Sequence, residues 1–290
     1  MACSRQICKF NEKTHRAFVT DATILHWAAL THSGSRKPRN DDALIALATG
    51  SSGSETLAAT GNRRLADQDF IFAISDGMGS GNAGDIASAS ILKQMAEIVP
   101  QTFKAAAAGF HPDSIAHLSD AIGRVHRGIN EVAADSPDHL GMAATLALAW
   151  FTPDNLYLAN VGDSRIYLSR GGVLEQISQD HTVAWRQWKR GEISETEHRT
   201  HPRRAALYEI VGGGQPHINP YLAAIKILPG DCLLICSDGV TDGLWERHIA
   251  DALATCQGDP ATTAQRLLKR AIDNSGFDDT SLIVIAVTAP

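Results

Sequence analysis

Apolar residues along the chain follow two patterns. Short apolar runs bounded by glycine, proline, asparagine or aspartate predict strands over 22–31, 69–75, 143–151, 156–160, 165–169, 173–177, 223–228, 232–237 and 281–287. Turn residues such as Pro153-Asp154-Asn155 and Gly171-Gly172 separate several of them. The second pattern has a helical period. Over 113–134, Ile115, Leu118, Ile122, Val125, Ile129 and Val132 recur at alternating three- and four-residue steps, which predicts an amphipathic helix started by Pro112 and Asp113. A helix over 84–99 places Ile91, Met95 and Ile98 on one face, and a third near 261–272 separates the last two strands. Closely spaced strands with tight turns favour antiparallel pairing. The expected fold class is α+β, with two packed antiparallel β-sheets flanked by helices.

Four segments lack either pattern. Residues 1–20 form a polar lead-in, and 34–42 is basic and contains a proline. Residues 49–67, rich in Gly, Ser, Thr and Ala, read as an exposed loop or weak hairpin, with the strand of 69–75 ending in the turn Asp76-Gly77-Met78-Gly79. Residues 181–214 are polar, charged and partly helical, and interrupt the strand series as a flap. No internal repeat is evident, so 21–290 reads as a single domain.

Composition narrows the function classes. Of 290 residues 44% are hydrophobic, enough for a sizeable core, and the net charge is −6. That balance argues against a nucleic-acid partner, which calls for a basic surface. No apolar run reaches membrane-span length. The start of the chain lacks a signal-peptide core. Cys3, Cys8, Cys232, Cys236 and Cys256 are odd in number and show no zinc-type spacing. Cys232 and Cys236 read as reduced core residues, so the expectation is a cytoplasmic protein, monomeric by default.

Aspartates recur where apolar runs meet turns. Asp76-Gly77 follows FIFAI, Asp238-Gly239 follows CLLIC, and Gly162-Asp163 follows LYLANV. Asp278-Asp279 precedes SLIVIAV and Asp41-Asp42 precedes ALIAL. One Asp-Gly pair reads as a turn. So many junctions, each beside a strand end, point to a rim of carboxylates that repel one another unless cations neutralise them. All-oxygen donors suit Mg²⁺ or Mn²⁺, and two such ions can bridge an attacking water in displacement at phosphorus.

At these residues the chain resembles the PPM family, the type 2C metal-dependent protein phosphatases, in particular its compact bacterial members. The matching elements are Asp76-Gly77-Met78-Gly79, continuing through Gly84-Asp85 to Ala87-Ser88, then ANVGDSR at 159–165 and Asp180-His181-Thr182. They continue as Thr200-His201-Pro202-Arg203-Arg204, Ser237-Asp238-Gly239 with Asp242 four residues after Asp238, and Asp278-Asp279-Thr280-Ser281. Their order and approximate spacing match from about 22 to 287. The resemblance implies a phosphatase of phosphoserine and phosphothreonine holding two or three Mn²⁺ or Mg²⁺ ions. It implies that Asp76 bridges two metals with the Gly77 carbonyl assisting, and that Asp238 and Asp278 complete the first site. Asp42 or Asp41 is implied for the second site, and Asp163 and Asp242 for a third, looser ion. An arginine near the first acidic motif is implied to grip the phosphate. Arg36 is the candidate and Lys37 the alternative, because the family's Arg-x-x-Asn-Glu-Asp pattern aligns with this chain in two ways. Phosphoprotein substrates and an opposing bacterial Ser/Thr kinase or its targets are the implied partners, with no nucleic acid and no membrane.

Departures from the family pattern carry expectations too. Met78 stands where animal members carry a histidine proposed as general acid, so the leaving group's proton must come from a metal-bound water or another histidine. Asp279 replaces the usual asparagine and adds negative charge beside the first metal. His181, His198, His201 and His217 fit no compact zinc spacing and read as solvated or capping residues. Trp185 and Trp188 read as packing the flap onto the core. The alternative to an enzyme is a catalytically weak or dead phosphoprotein-binding relative.

Overall fold

The computed structural model describes residues 23–289 except 37, 51–52, 67, 80–82, 108–113, 154 and 257, and not the side chains of 100–107 and 114. The lead-in at 1–20, Lys37 and the helix-start pair Pro112-Asp113 lie outside the described residues. In chain order the elements begin with β1 (Ile24–His32), β2 (Asp42–Gly50), β3 (Gly53–Thr56), β4 (Thr60–Arg64) and β5 (Asp69–Met78). Helices α1 (Ala83–Ala107) and α2 (Ser114–Ala134) follow, then β6 (Ala143–Ala144), β7 (Leu146–Phe151), β8 (Leu156–Val161), β9 (Arg165–Arg170) and β10 (Val173–Gln176). Next come α3 (Val183–Lys189), α4 (Glu195–Arg199), β11 (Val211–Gly212), β12 (Tyr221–Ile225) and β13 (Cys232–Cys236). The chain closes with α5 (Asp238–Gly243), α6 (Glu246–Ala254), α7 (Pro260–Ser275) and β14 (Thr280–Thr288).

Among the described residues the strands form two antiparallel sheets. One has six strands in the order β10-β9-β13-β14-β1-β4. The other has eight: β3-β2-β5-β7-β8-β12, with β6 and β11 continuing from the far end of β5. Strand alternation explains why the runs are apolar on both faces. In β14, Ile283, Ile285 and Val287 point between the sheets and meet Phe70, Phe72 and Ile74 of β5. The alternate residues Leu282, Val284 and Ala286 point outward and are covered by Leu253, Leu267 and Ala271 of α6 and α7. On the opposite side, Ile71, Leu148 and Trp150 lie beneath Ile91, Met95, Leu118 and Val125 of α1 and α2. The α+β sandwich is therefore four layers deep, helices on sheet on sheet on helices.

Local readings differ from this structure in several places. Residues 49–67 are no simple hairpin: β3 pairs with β2 in one sheet and β4 with β1 in the other. A polar segment can do this because backbone hydrogen bonds, rather than apolar side chains, hold edge strands in place. Strand β5 runs on through Gly77 and Met78, which pair with Ala144 and Ala143 of β6, so the turn predicted there is displaced. The segment after Cys236 is helical in α5 and α6, which are too short to display a period. Helix α1 extends to Ala107, past the predicted end near 99. Cys232, Cys236 and Cys256 are buried free thiols, as expected for the first two.

Candidate active site

The aspartates converge at one rim of the sandwich, where strand ends from both sheets meet. In the β2–β5 register Asp42 stands opposite Asp76, and Gly77 N–H donates to the Asp41 carbonyl at 3.0 Å. Glycine is required here for close approach. A Cβ on Gly77 would lie 2.0 Å from the Gly84 carbonyl oxygen, and one on Gly84 would lie 2.9 Å from the Asp41 carboxyl carbon. From the other sheet, Asp238 opens α5 directly after β13, and Asp242 lies one turn later on the same helix face. Ser237 ties the two sheets together. Its Oγ donates to Asp42 Oδ2 at 2.7 Å and accepts the Ser281 N–H at 3.0 Å. Asp163 comes from the turn after β8, whose Ser164 Oγ lies 2.7 Å from Thr145 Oγ1. Thr145 Oγ1 in turn accepts the Asp76 N–H at 3.0 Å.

Charge repulsion links the same residues. Burial pushes the Asp238 carboxyl well above the usual carboxylate range, and Asp163, Asp242, Asp278 and Asp42 push it further. Burial raises Asp42 to about 6; Ser237 and Ser281 oppose this by hydrogen bonding, while Asp279 and Asp278 add to it. Burial, with Asp180 adjacent, raises Asp163 to about 7. Two carboxylate oxygens here, Asp42 Oδ1 and Asp238 Oδ1, are buried and accept no hydrogen bond among the described residues. Buried anionic oxygens without donors are costly, and a divalent cation would satisfy them. The donors are all oxygen, which suits Mn²⁺ or Mg²⁺. Among the described residues no three carboxylate, imidazole or thiolate groups already form a ligand shell. Mutually repelling carboxylates would need the cation's charge to draw them together. The residues present fit the group.

The loop before β2 is fastened to the segment before β14. Gly34 N–H donates to Asp279 Oδ1 and Asp41 N–H to Asp279 Oδ2, each at 2.7 Å. A carboxylate at 279 thus organises backbone as well as adding charge, a role that sequence reasoning missed because its partners lie far away along the chain. Arg36 is exposed, with its guanidinium carbon 4.4 Å from the centre of the Phe277 ring.

Two family-like elements clamp each other. Arg165 gives Asp180 a bidentate bond, Nε to Oδ2 at 2.9 Å and Nη2 to Oδ2 at 2.7 Å with Nε also reaching Oδ1, and Nη1 donates to Tyr167 Oη at 3.0 Å. His181 Nδ1 accepts the Gly162 N–H at 3.1 Å. Burial lowers both His181 and His198 to about 4. Both are buried, which corrects their reading as solvated residues. Trp188 stacks on His198 at 4.8 Å, and Trp185 Nε1 donates to Gln176 Oε1 at 2.9 Å, so both tryptophans fasten the flap. Arg199 donates to the carbonyls of Leu244 at 2.9 Å and Asp242 at 2.6 Å, and Arg204 forks onto the Asp242 carboxylate. Under these arginines lies a cavity of about 160 Å³ lined by Asp163, Asp238, Asp242, His198 and Trp188.

The fold and this rim define a class. The sequence model of the family described as Protein phosphatase 2C matches residues 51–271, and the chain belongs to that family. Among its relatives, the serine/threonine protein phosphatase PstP of Mycobacterium tuberculosis (strain CDC 1551 / Oshkosh) is 28% identical over 264 residues, covering 91% of this chain and 45% of PstP. The chain thus spans about half the length of that relative. Two solved structures share the fold. The PPM Ser-Thr phosphatase MsPP from Mycobacterium smegmatis, in complex with cacodylate, is 32% identical with a TM-score of 0.69, covering 90% of this chain and 97% of its own. The catalytic domain of PstP, in complex with two manganese ions, is 27% identical with a TM-score of 0.68, covering 92% and 99%.

Proposed function

We propose that this chain is a metal-dependent protein serine/threonine phosphatase. The observation that carries the reading is the pair of buried, unbonded carboxylate oxygens on Asp42 and Asp238, at a rim shared with Asp76 and Asp278. Asp76 with the Gly77 carbonyl, Asp238 and Asp278 would hold the first of two divalent ions, and Asp42 or Asp41 the second. Asp163 and Asp242 would hold a third. Bound there, the ions supply Lewis acidity, which lowers the pKa of water and neutralises charge developing at phosphorus. Manganese is the first ion to test, on the strength of the manganese-bound relative.

The chain's own groups do the rest. Arg36 binds phosphoryl oxygens through its N–H fork, while Ser237 holds Asp42 in one orientation. Burial lowers His181 and His198, so neither is the proton donor in this reading, and the leaving group's proton would come from water or from another histidine. Its substrates would be phosphoproteins made by a bacterial-type Ser/Thr kinase. The test is release of phosphate from a phosphothreonine peptide with Mn²⁺, with Mg²⁺ and with excess EDTA, for the wild type and Asp76→Ala. We expect turnover that EDTA abolishes and that Asp76→Ala lowers by more than about a hundredfold, beyond what loss of a residue merely supporting a ligand causes. Folded protein with no turnover under any metal would instead identify a phosphoprotein-binding relative.

A further inference from the structure

The loop that carries Arg36 lies along the segment that carries Asp278. Ser35 N–H donates to the Gly276 carbonyl at 3.0 Å and Arg36 N–H to the Phe277 carbonyl at 3.2 Å. The approach is close enough to need a glycine: a Cβ on Gly34 would stand 2.4 Å from the Asp278 carbonyl carbon. At the end of this contact the Arg36 guanidinium lies over the Phe277 ring. Among the described residues no carboxylate or carbonyl takes its N–H groups. Phe277 itself is 53% exposed, so it adds little to any core, and it immediately precedes Asp278.

We propose that Phe277 is a positioning residue for Arg36, holding its guanidinium in one orientation for the substrate's phosphoryl group. A guanidinium stacked on a ring is held by its face, which leaves its in-plane N–H edge available for two phosphoryl oxygens. An arginine on a long exposed side chain otherwise samples many rotamers, and ordering it on substrate binding weakens affinity. The ring supplies that order beforehand. Phe277 thus acts on substrate binding through Arg36, and on the chemical step hardly at all. The proposal rests on Arg36 as the phosphate-binding group.

The experiment is steady-state kinetics on a phosphothreonine peptide with Mn²⁺, together with inhibition by inorganic phosphate. The variants are Phe277→Ala, Phe277→Leu, Phe277→Trp, Arg36→Ala and the Arg36→Ala/Phe277→Ala double. Phe277→Ala should raise KM and the phosphate inhibition constant about two- to five-fold, the span of an exposed cation–π contact, with kcat within about twofold. Its Tm should stay near the wild type's, because the side chain is exposed. Phe277→Leu, which keeps apolar bulk without a π face, should match Phe277→Ala, and Phe277→Trp should match the wild type. Removing the ring should add nothing once Arg36 is gone. Wild-type KM and phosphate inhibition in Phe277→Ala, beside raised values in Arg36→Ala, would overturn the role of Phe277 alone. Wild-type values in Arg36→Ala would overturn the Arg36 reading and this proposal with it.

Discussion

Single buried ionisable residues set the local energetics of this fold, and Asp69 is the clearest case away from the active site. Its Oδ2 accepts the Trp150 Nε1–H at 2.8 Å. Burial raises its carboxyl from 3.8 to about 7, against the opposing pull of that hydrogen bond. Between those values the folded chain keeps a proton that the unfolded chain has lost. The contribution to stability is therefore complete below pH 3.8, declines as pH rises, and is gone above about 7. Asp69→Asn keeps an acceptor for Trp150 and removes the buried charge. It should be more stable than the wild type at pH 8, on the order of 3 kcal/mol, with little difference near pH 4. Urea denaturation at both pH values checks this, and parallel pH profiles would rule it out. At the rim the carboxylates of Asp42 and Asp238 were legible as ligand candidates from their strand-end positions. The work of Ser237 and Asp279 was not, because a hydroxyl or a second carboxylate carries no signal of which distant backbone it will meet.

Between elements, one buried tie is that of Arg165 of β9 to Asp180 before α3. Both partners are buried, 7% and 1% exposed, and Arg165 is the largest neutralising charge acting on Asp180, with Lys189 adding to it. Burial raises the Asp180 carboxyl, and Arg165 pulls it back. Arg165→Met should remove the largest charge compensating buried Asp180 and cost about 3–5 kcal/mol, read as a lower midpoint in chemical denaturation. The same substitution should loosen the flap, since the Arg165 guanidinium carbon also lies 5.8 Å from the centre of the Trp188 ring. The long elements were legible because their period repeats. Helix α2 begins at Ser114, within a residue of its expected start. The short ones were not: α5 and α6, and the strands β3, β4, β6 and β11, are too brief to show a period and exist because a neighbour offers hydrogen bonds or apolar cover.

For the whole molecule, the rim is where two sheets bring like charges together, a repulsion that bound cations would relieve. A ligand bound only by the folded state stabilises it by mass action. Saturating Mn²⁺, at about a hundred times its dissociation constant, should add about 2.7 kcal/mol and raise Tm accordingly. Asp76→Ala should lose most of that rise, and an unchanged Tm in the wild type would count against the metal centre. By itself the sequence determined the element types, the α+β class, the family resemblance and the aspartates at the rim, because period, turn chemistry and motif order are properties of neighbours along the chain. Only the tertiary structure decided which sheet each edge strand joined, that Asp42 faces Asp76 across two strands, that Asp279 grips the loop of Asp41, and that Arg36 lies on Phe277. Those facts depend on register and on contacts between residues from a few to more than two hundred positions apart, where no local pattern records the partner.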